Sequence, residues 1–535
     1  MRKLLVIFIV LLAFVLRFWR LGEFPPINAD EAAIAYNAYS LLQTGMDEHG
    51  KAWPIHFQSF NDYKPGLYFY IVMPFVAVMG LGSWAVRVPS ALMGVGSVYL
   101  LYLLVREIGG KRKYLAEIAG LFLAVSPWHL HFSRGGWEVN VATFFIVLGV
   151  YLFLKSLKDS RYYVLCTLTF ALSLYTYHAA RIVVPLLGLG LVFFYRKDFV
   201  GNVRSLVIAG LVGFVVLIPL GVEMLGPAGV SRASGVGLFA DTGPLTRVNE
   251  QRGEHEDYLG ITAKILHNKP TNYGLAFMEN WSEHYWGEFL FLSGDEIQRN
   301  KVPEMGQMYI YEIVFVLVGL YFIVKKQENW KIVVWWLLVA PVAAALTFQS
   351  PHALRAQNMV IPLTIISAYG FWRVWETSLR RGFGWQVRGL LILLLVWGVS
   401  RYLHMYWVHM PKEYPSSSQY GVDELVSYVE ERGDYHPKVI VTDRYDQPYI
   451  LFLYYMKYPP QDFIGAHSLT EPDGFGFSTV RVFDKYEFRS INFDVDRPSN
   501  PNAMIIGTDE EIPDEANVTK RIYFPNGEVA FEVVE

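Results

Sequence analysis

Two adjacent carboxylates, Asp30 and Glu31, open the densest polar stretch in the first third of the chain, 24–66 (FPPINADEAAIAYNAYSLLQTGMDEHGKAWPIHFQSFNDYKPG). Asp47 and Glu48 follow, and Asp62, Tyr63 and Lys64 stand directly before Pro65 and Gly66. A carboxylate kept ionised by a nearby cation can take a proton from an acceptor hydroxyl as a general base. A lysine can hold a phosphate as a point charge. The same residues have plainer uses. Asp30 and Glu31 precede AAIAYNAYSLL, a stretch of helical character, and acids in a first helical turn are favoured by the helix dipole. A lysine beside a membrane also extends its head to lipid headgroups.

Four arginines add to this chemistry. Arg87 begins RVPSAL, Arg134 and Glu138 flank a Gly-Gly turn in SRGGWE, Tyr177, His178 and Arg181 lie in YTYHAAR, and Arg355 ends PHALR. Singly, each has an ordinary reading: a headgroup arginine, a histidine in an aromatic belt, an Arg134–Glu138 ion pair. What they share is position, which depends on how the surrounding elements cross a membrane.

Of 535 residues, 53% are hydrophobic and 18% charged, against about a quarter charged in soluble chains. The deficit falls in apolar runs at about 4–19, 67–82, 88–105, 115–132, 139–154, 162–178, 182–195, 205–221, 308–324, 332–348, 356–372 and 389–407. These predict a polytopic membrane protein. The first run has a basic start but no small-residue cleavage site, so it reads as an uncleaved span. Lys and Arg cluster at 2–3, 106–113, 155–161, 196–204, 325–331 and 373–388. All of these fall on the cytoplasmic side, as positive charge should, only if 67–82 does not cross. That run is then an interfacial or re-entrant helix, leaving about 11 transmembrane helices with the N-terminus cytoplasmic. Asp30, Glu31, Asp62, Lys64, Arg87, Arg134, Glu138, His178, Arg181 and Arg355 all fall on the extracytoplasmic side. Arginines gathered there, against the usual bias, point to an anionic ligand at headgroup depth, with phosphate the natural candidate.

The loop at 222–307 is too long for a plain connection. Its Gly- and Ser-rich first half suggests a mobile lid, and its aromatic second half an interfacial segment. After 410 the pattern changes. PKEYPSSSQYG reads as a linker, DELVSYVEERG and QPYILFLYYMKY as helices, and KVIVTDRY, NAMIIGT, KRIYFPNG and VAFEVVE as strands. The expected organisation is an all-α membrane domain at 1–410 and a small α/β extracytoplasmic domain at 412–535.

Several chemistries find no support. A net charge of −3 gives no basic surface for nucleic acid. The single cysteine, Cys166, excludes a disulfide framework and reads as a packing thiol. There is no GxxxxGK[ST] or HExxH. Asp494-Val495-Asp496 has the look of a metal–nucleotide DxD but sits on a strand-like run of the outer domain and reads as incidental. No histidine spacing marks a metal site. No cofactor is expected; a divalent metal beside a lipid phosphate stays compatible with the pattern.

Taken with NADEAAIAYNAY, DYKPGLYFY, RVPSAL, SPWHLHFSRGGWE and LSLYTYHAARIVVPLL, the order of spans resembles the GT-C superfamily of polytopic glycosyltransferases. Its protein O-mannosyltransferase and lipid A aminoarabinose transferase branches are the nearest in pattern. The resemblance covers about 1–410. It implies transfer of a sugar from a polyprenyl-phosphate donor to an acceptor hydroxyl of a protein, lipid or glycan, at the outer leaflet and with inversion. By carry-over, Asp30 is the catalytic carboxylate and Glu31 its catalytic neighbour. Lys64, Arg87, Arg181 and Arg355 form the donor-phosphate set, and Asp62, Tyr63, Arg134, Glu138, Tyr177 and His178 are substrate contacts. One departure stands out: Tyr63 precedes Lys64, where the aminoarabinose branch has Glu. Topology agrees on the donor, because nucleotide sugars are cytoplasmic and an outward-facing enzyme needs its sugar already carried across on lipid. The rival reading is a polytopic transporter or lipid-sugar flippase. Such proteins place ionisable residues near mid-membrane, often in repeated halves, and this chain shows neither feature.

Overall fold

The computed structural model describes residues 2–535 except 61, 200–201, 227–228, 230–236, 327–329, 379–383 and 473–477; the side chains of Asp62 and Lys326 also lie outside the described residues. Half of the Gly- and Ser-rich stretch 226–243 expected to form a lid falls in that excluded set. Every apolar run folds as helix. In order come α1 (Arg2–Phe18), α2 (Ala29–Thr44), α3 (Leu67–Met79), α4 (Ser83–Ile108), α5 (Leu115–Val125), α6 (Pro127–Ser133), α7 (Glu138–Ser156), α8 (Tyr162–Thr176), α9 (Ala180–Tyr195) and α10 (Val203–Glu223). The long loop carries α11 (Gly243–Gly253), α12 (Ile261–Leu266) and α13 (Lys269–Glu283), followed by α14 (Glu312–Lys326), α15 (Lys331–Val339), α16 (Val342–Ala345), α17 (Val360–Ser378) and α18 (Gly384–His404).

Among the described residues, four helices are long and apolar enough to cross a membrane: α4, α7, α10 and the 30-residue stretch 384–413 that begins with α18. Two runs expected as single spans are broken. The first divides at Ser126, whose side chain caps α6, with Pro127 at the first helical position; a proline there cannot donate to the preceding turn. The second divides at Pro341, between α15 and α16. The 13 residues of α3 rise about 20 Å, short of the roughly 30 Å apolar thickness of a bilayer, a length in keeping with the interfacial helix expected there. It lies between α2 and α4. Close packing in the bundle depends on small residues: a Cβ on Gly370 of α17 would meet the carbonyl oxygen of Phe315 on α14.

Between α2 and α3 the chain makes a hairpin of β1 (His56–Ser59) and β2 (Asp62–Pro65), with Phe57 opposite Lys64 and Gln58 opposite Tyr63. The C-terminal region holds α19 (Val422–Arg432), β3 (Val439–Val441), α20 (Pro448–Tyr455), β4 (Val482–Phe483), β5 (Tyr486–Phe488), α21 (Phe493–Ser499), β6 (Met504–Gly507), β7 (Lys520–Tyr523) and β8 (Val529–Val534). Its six-stranded sheet runs β4-β5-β3-β6-β8-β7, with β3 parallel to β5 and β6 and the outer pairs antiparallel. Asp494 and Asp496 lie on helix α21, not on a strand as the sequence suggested. Asp496 accepts from Arg489 Nη2 at 2.6 Å and from the Asn492 amide at 2.8 Å, which gives it a structural use.

One apolar core joins this region to the first loop. Ala32, Tyr36, Phe57 and Phe69 share it with Tyr449, Phe452, Phe463 and Phe483. The same junction buries Glu48, whose Oε1 lies 3.7 Å from His49 Nε2. Burial pushes the Glu48 carboxyl up to about 8 and the His49 imidazole down to about 4. Between about 4.5, usual for glutamate, and about 8, the folded chain keeps a proton that the unfolded chain has lost, so stability falls as pH rises through that window. Glu48→Gln is therefore expected to raise the thermal midpoint more at pH 8 than at pH 5. A gain equal at both pH values in parallel melts would count against this.

Candidate active site

Asp30 and Glu31 have opposite fates because consecutive helical residues point about 100° apart. Asn28 caps α2 and forms a capping box with Glu31: the Glu31 amide donates to Asn28 Oδ1 at 3.0 Å, and Glu31 Oε2 accepts from the Asn28 amide. Glu31 is 1% exposed and grips Arg87 through two 2.7 Å bonds, from Nε and Nη2. Its Oε1 also accepts from the Gly136 amide at 2.7 Å. Arg87, fully buried, spends its remaining donors on the carbonyls of Leu21, Pro25 and Pro26. Neither residue reaches the cavity described below. These contacts turn Glu31 away from the expected catalytic role and Arg87 away from phosphate, and make the pair a support for the first loop, which they lock onto α4. Gly136 is needed there, since a Cβ would crowd Val86 and the Glu31 side chain.

Arg134 is occupied in the same way. At 2% exposure it donates to Tyr406 Oη and to the carbonyls of Leu16, Arg17, Trp19 and Phe24. None of these bonds goes to Glu138, so the expected ion pair does not form, nor is a donor turned toward substrate. Tyr63, next to Lys64 on β2, points to the other face of the strand and does not line the cavity. Asp62 has no described side chain.

Asp30 faces a cavity of about 360 Å³. Its Oδ1 accepts from Lys64 Nζ at 2.5 Å, and its Oδ2 stands 3.9 Å from Arg299 Nη1. Lys64 is 9% exposed and lies 5.4 Å from the Phe60 ring centre. Trp137 and Glu138, at the start of α7, line the cavity, as do Tyr177 and His178 between α8 and α9. Arg355 and His352 line it from the segment before α17. Arg355 Nη1 donates to Thr347 Oγ1 at 2.7 Å. Arg181 sits behind this wall: it donates through Nη2 toward His56 Nε2 at 2.6 Å and lies 3.2 Å from His178 Nδ1. That places it in support of His178 and removes it from the lining.

A second cavity, of about 300 Å³, adjoins the first and shares Tyr177, His178 and Arg355 with it. The rest of its wall is almost wholly apolar, built from Ile182 of α9, Leu238, Phe239, Ala343 and Leu346. A polar chamber holding a carboxylate thus shares an arginine and a histidine with a neighbouring oily one. That arrangement suits an amphipathic ligand with an anionic joint. Among the described residues, no group of three His, Cys, Asp or Glu side chains is placed to hold a metal.

The sequence reading missed Arg299, Asn300, His352, Asp446 and Gln447, all of which line the polar cavity. His352 lies in the PHALR segment already singled out. Asp446 and Gln447 follow the C-terminal end of β3, a parallel strand, where functional loops of α/β sheets gather; that signal was available. Arg299 carries no local mark.

The comparisons fit this geometry. A family profile described as "Dolichyl-phosphate-mannose-protein mannosyltransferase" matches residues 63–222. Two Bacillus subtilis (strain 168) proteins, "Putative mannosyltransferase YycA" and "Putative mannosyltransferase YkcB", are 34% and 32% identical over 98 residues, 18% of this chain. Those stretches span only 14% and 13% of the two relatives. ArnT from Cupriavidus metallidurans, solved bound to undecaprenyl phosphate, superimposes with a TM-score of 0.52 at 13% identity, covering 99% of this chain and 97% of that one. AglB, an oligosaccharyltransferase from Archaeoglobus fulgidus solved with an inhibitory peptide and a dolichol-phosphate, gives 0.51 at 14% identity, covering 84% and 63%. The chain has the fold of the GT-C membrane glycosyltransferases.

Proposed function

We propose that this protein is a glycosyltransferase that moves a sugar from a polyprenyl-phosphate donor to an acceptor hydroxyl on the extracytoplasmic face. The observation that carries the proposal is the junction of the two cavities. A prenyl chain suits the apolar one, the sugar suits the polar one, and the phosphate between them meets Arg355 and His178. The acceptor oxygen attacks the anomeric carbon while Asp30 takes its proton. The bond from that carbon to the phosphate oxygen breaks, and the lipid phosphate leaves. Arg355 and Lys64 stabilise the charge that develops on it, which a fixed cation does best where water is scarce. A single displacement inverts the anomeric centre. It also agrees with the position of Asp30 in the polar chamber, away from the apolar wall.

The test is turnover by the purified full chain in lipid nanodiscs, with a panel of labelled polyprenyl-phosphate sugars and host membranes as the source of acceptor. Release of polyprenyl phosphate from one member, matched by label in the acceptor fraction, is expected; no release from any member would count against the reading. Arg355→Ala is expected to weaken apparent donor affinity about 10- to 100-fold, the worth of a charge-assisted contact. An unchanged donor KM would remove Arg355 from the phosphate site.

A further inference from the structure

We infer that Arg299, held by Asp446 of the C-terminal region, is a positioning residue for Asp30, so that the soluble domain is a working part of the catalytic centre. The inference rests on Asp30 being the base proposed above. Arg299 Nη1 lies between two carboxylates, 3.3 Å from Asp446 Oδ2 and 3.9 Å from Asp30 Oδ2. The nearer contact is to Asp446. Arg299 therefore stands at ion-pair distance from the base without forming a close bond to the oxygen that must accept the proton. Lys64 occupies the other oxygen of Asp30.

Both partners of this contact are built in. Arg299 sits on a one-turn segment, Gln298–Asn300. Its carbonyl is 2.8 Å from His131 Nε2, and the Gln298 side chain accepts from Ser417 Oγ at 2.7 Å. Asp295, 1% exposed, anchors the segment's start: it accepts from Asn300 Nδ2 at 3.0 Å and from the Ala353 amide at 2.6 Å. On the other side, Gln419 bridges the two regions. Its Nε2 donates to the Asp446 carbonyl at 2.7 Å, and its Oε1 accepts at 2.7 Å from the amide of Ala29, the neighbour of Asp30. The loop carrying Asp446 is thereby fixed to the helix carrying the base.

The charges explain the need. Asp30 faces Asp446 from the C-terminal region and Glu138 from α7, both of which disfavour its ionised form, and Lys64 and Arg299, which favour it; Arg355, His178 and His352 complete the charged or titratable wall. Arg299 offsets the repulsion that Asp446 brings, and Asp446 keeps Arg299 from closing on Asp30. Each makes the other tolerable.

The experiment measures kcat and donor KM against pH for the full chain in nanodiscs, with the polyprenyl-phosphate sugar that the wild type turns over best. Arg299→Gln is expected to move the acid limb of kcat up by about one pH unit, the effect of removing a cation near 4 Å. Arg299→Lys should bring it part of the way back. Asp446→Asn, at an exposed position, should lower kcat several-fold with donor KM unchanged. An unmoved acid limb in Arg299→Gln, or a rise in donor KM alone, overturns the positioning role while wild-type turnover leaves the proposed function standing. If no donor is turned over, the proposed function fails instead. The infrared carboxyl band lost in Asp30→Asn then decides this inference without turnover: titrating at higher pH in Arg299→Gln than in wild type supports it, and titrating at the same pH overturns it.

Discussion

Asp30→Asn is expected to lower turnover of a polyprenyl-phosphate sugar by about 10²- to 10⁴-fold, the usual contribution of a positioned general base. The amide keeps the shape of the side chain and can still accept a hydrogen bond from Lys64, but it cannot take a proton from the acceptor. Asp30 is only partly buried, and its bonded partner, Lys64, lies at the cavity wall, so the fold should survive. Donor binding should survive as well, because Arg355, His178 and Lys64, the groups assigned to the phosphate, are all retained. The measurement is single-turnover release of polyprenyl phosphate, alongside donor binding by the same preparation. Turnover within a few-fold of wild type would remove Asp30 from the mechanism and leave Glu138 and Asp446 as the other carboxylates in the cavity.

Arg87→Ala should act on folding. This guanidinium donates five hydrogen bonds, two of them to one carboxylate, and both partners of that pair are buried. Removing one member of such a pair strands the other without its counter-charge, at about 3–5 kcal/mol, a large share of the stability of most domains. Loss of folded protein on expression is expected, or a strongly lowered melting temperature where some accumulates. Arg87→Lys should rescue little, since an ammonium cannot match the two-pronged contact with Glu31. A variant that melts like wild type yet binds donor poorly would restore the phosphate role that the sequence suggested.

Asp30 and Glu31 show where sequence reading stops. Composition and helix signals place both at the start of α2, and locally only the capping-box spacing from Asn28 to Glu31 sets them apart. What separates them is Arg87 and Gly136, 56 and 105 positions away from Glu31, which claim one face of the helix. The apolar runs were legible because a helix is a local structure. Its interruptions at Pro127 and Pro341 were passed over, although a proline's missing donor is a local signal. Lys64 was legible beside its Gly-Pro neighbours, and strand alternation accounts for Tyr63 turning away. Arg299 was not: an exposed arginine in a long loop looks like any solvated charge until folding brings it to Asp30. Asp446 left only the general mark of following a parallel strand, and nothing local ties it to Arg299.

The core shared by the first loop and the C-terminal region bears on how the protein is made. Ala29 and Gln419, the two ends of one hydrogen bond, are 390 positions apart. A ribosome delivers α2 and α3 early and their packing partners β3 and α20 only after the last membrane helix has left the tunnel. During that interval Phe57, Phe69 and their neighbours lack the part of their shared core that the C-terminal region supplies, the kind of exposed surface on which chaperones act. The enzyme therefore cannot become active from its N-terminus onward. On the mechanism proposed above, it stays inert through membrane insertion and completes the site around Asp30 only when the end of the chain folds back on the beginning.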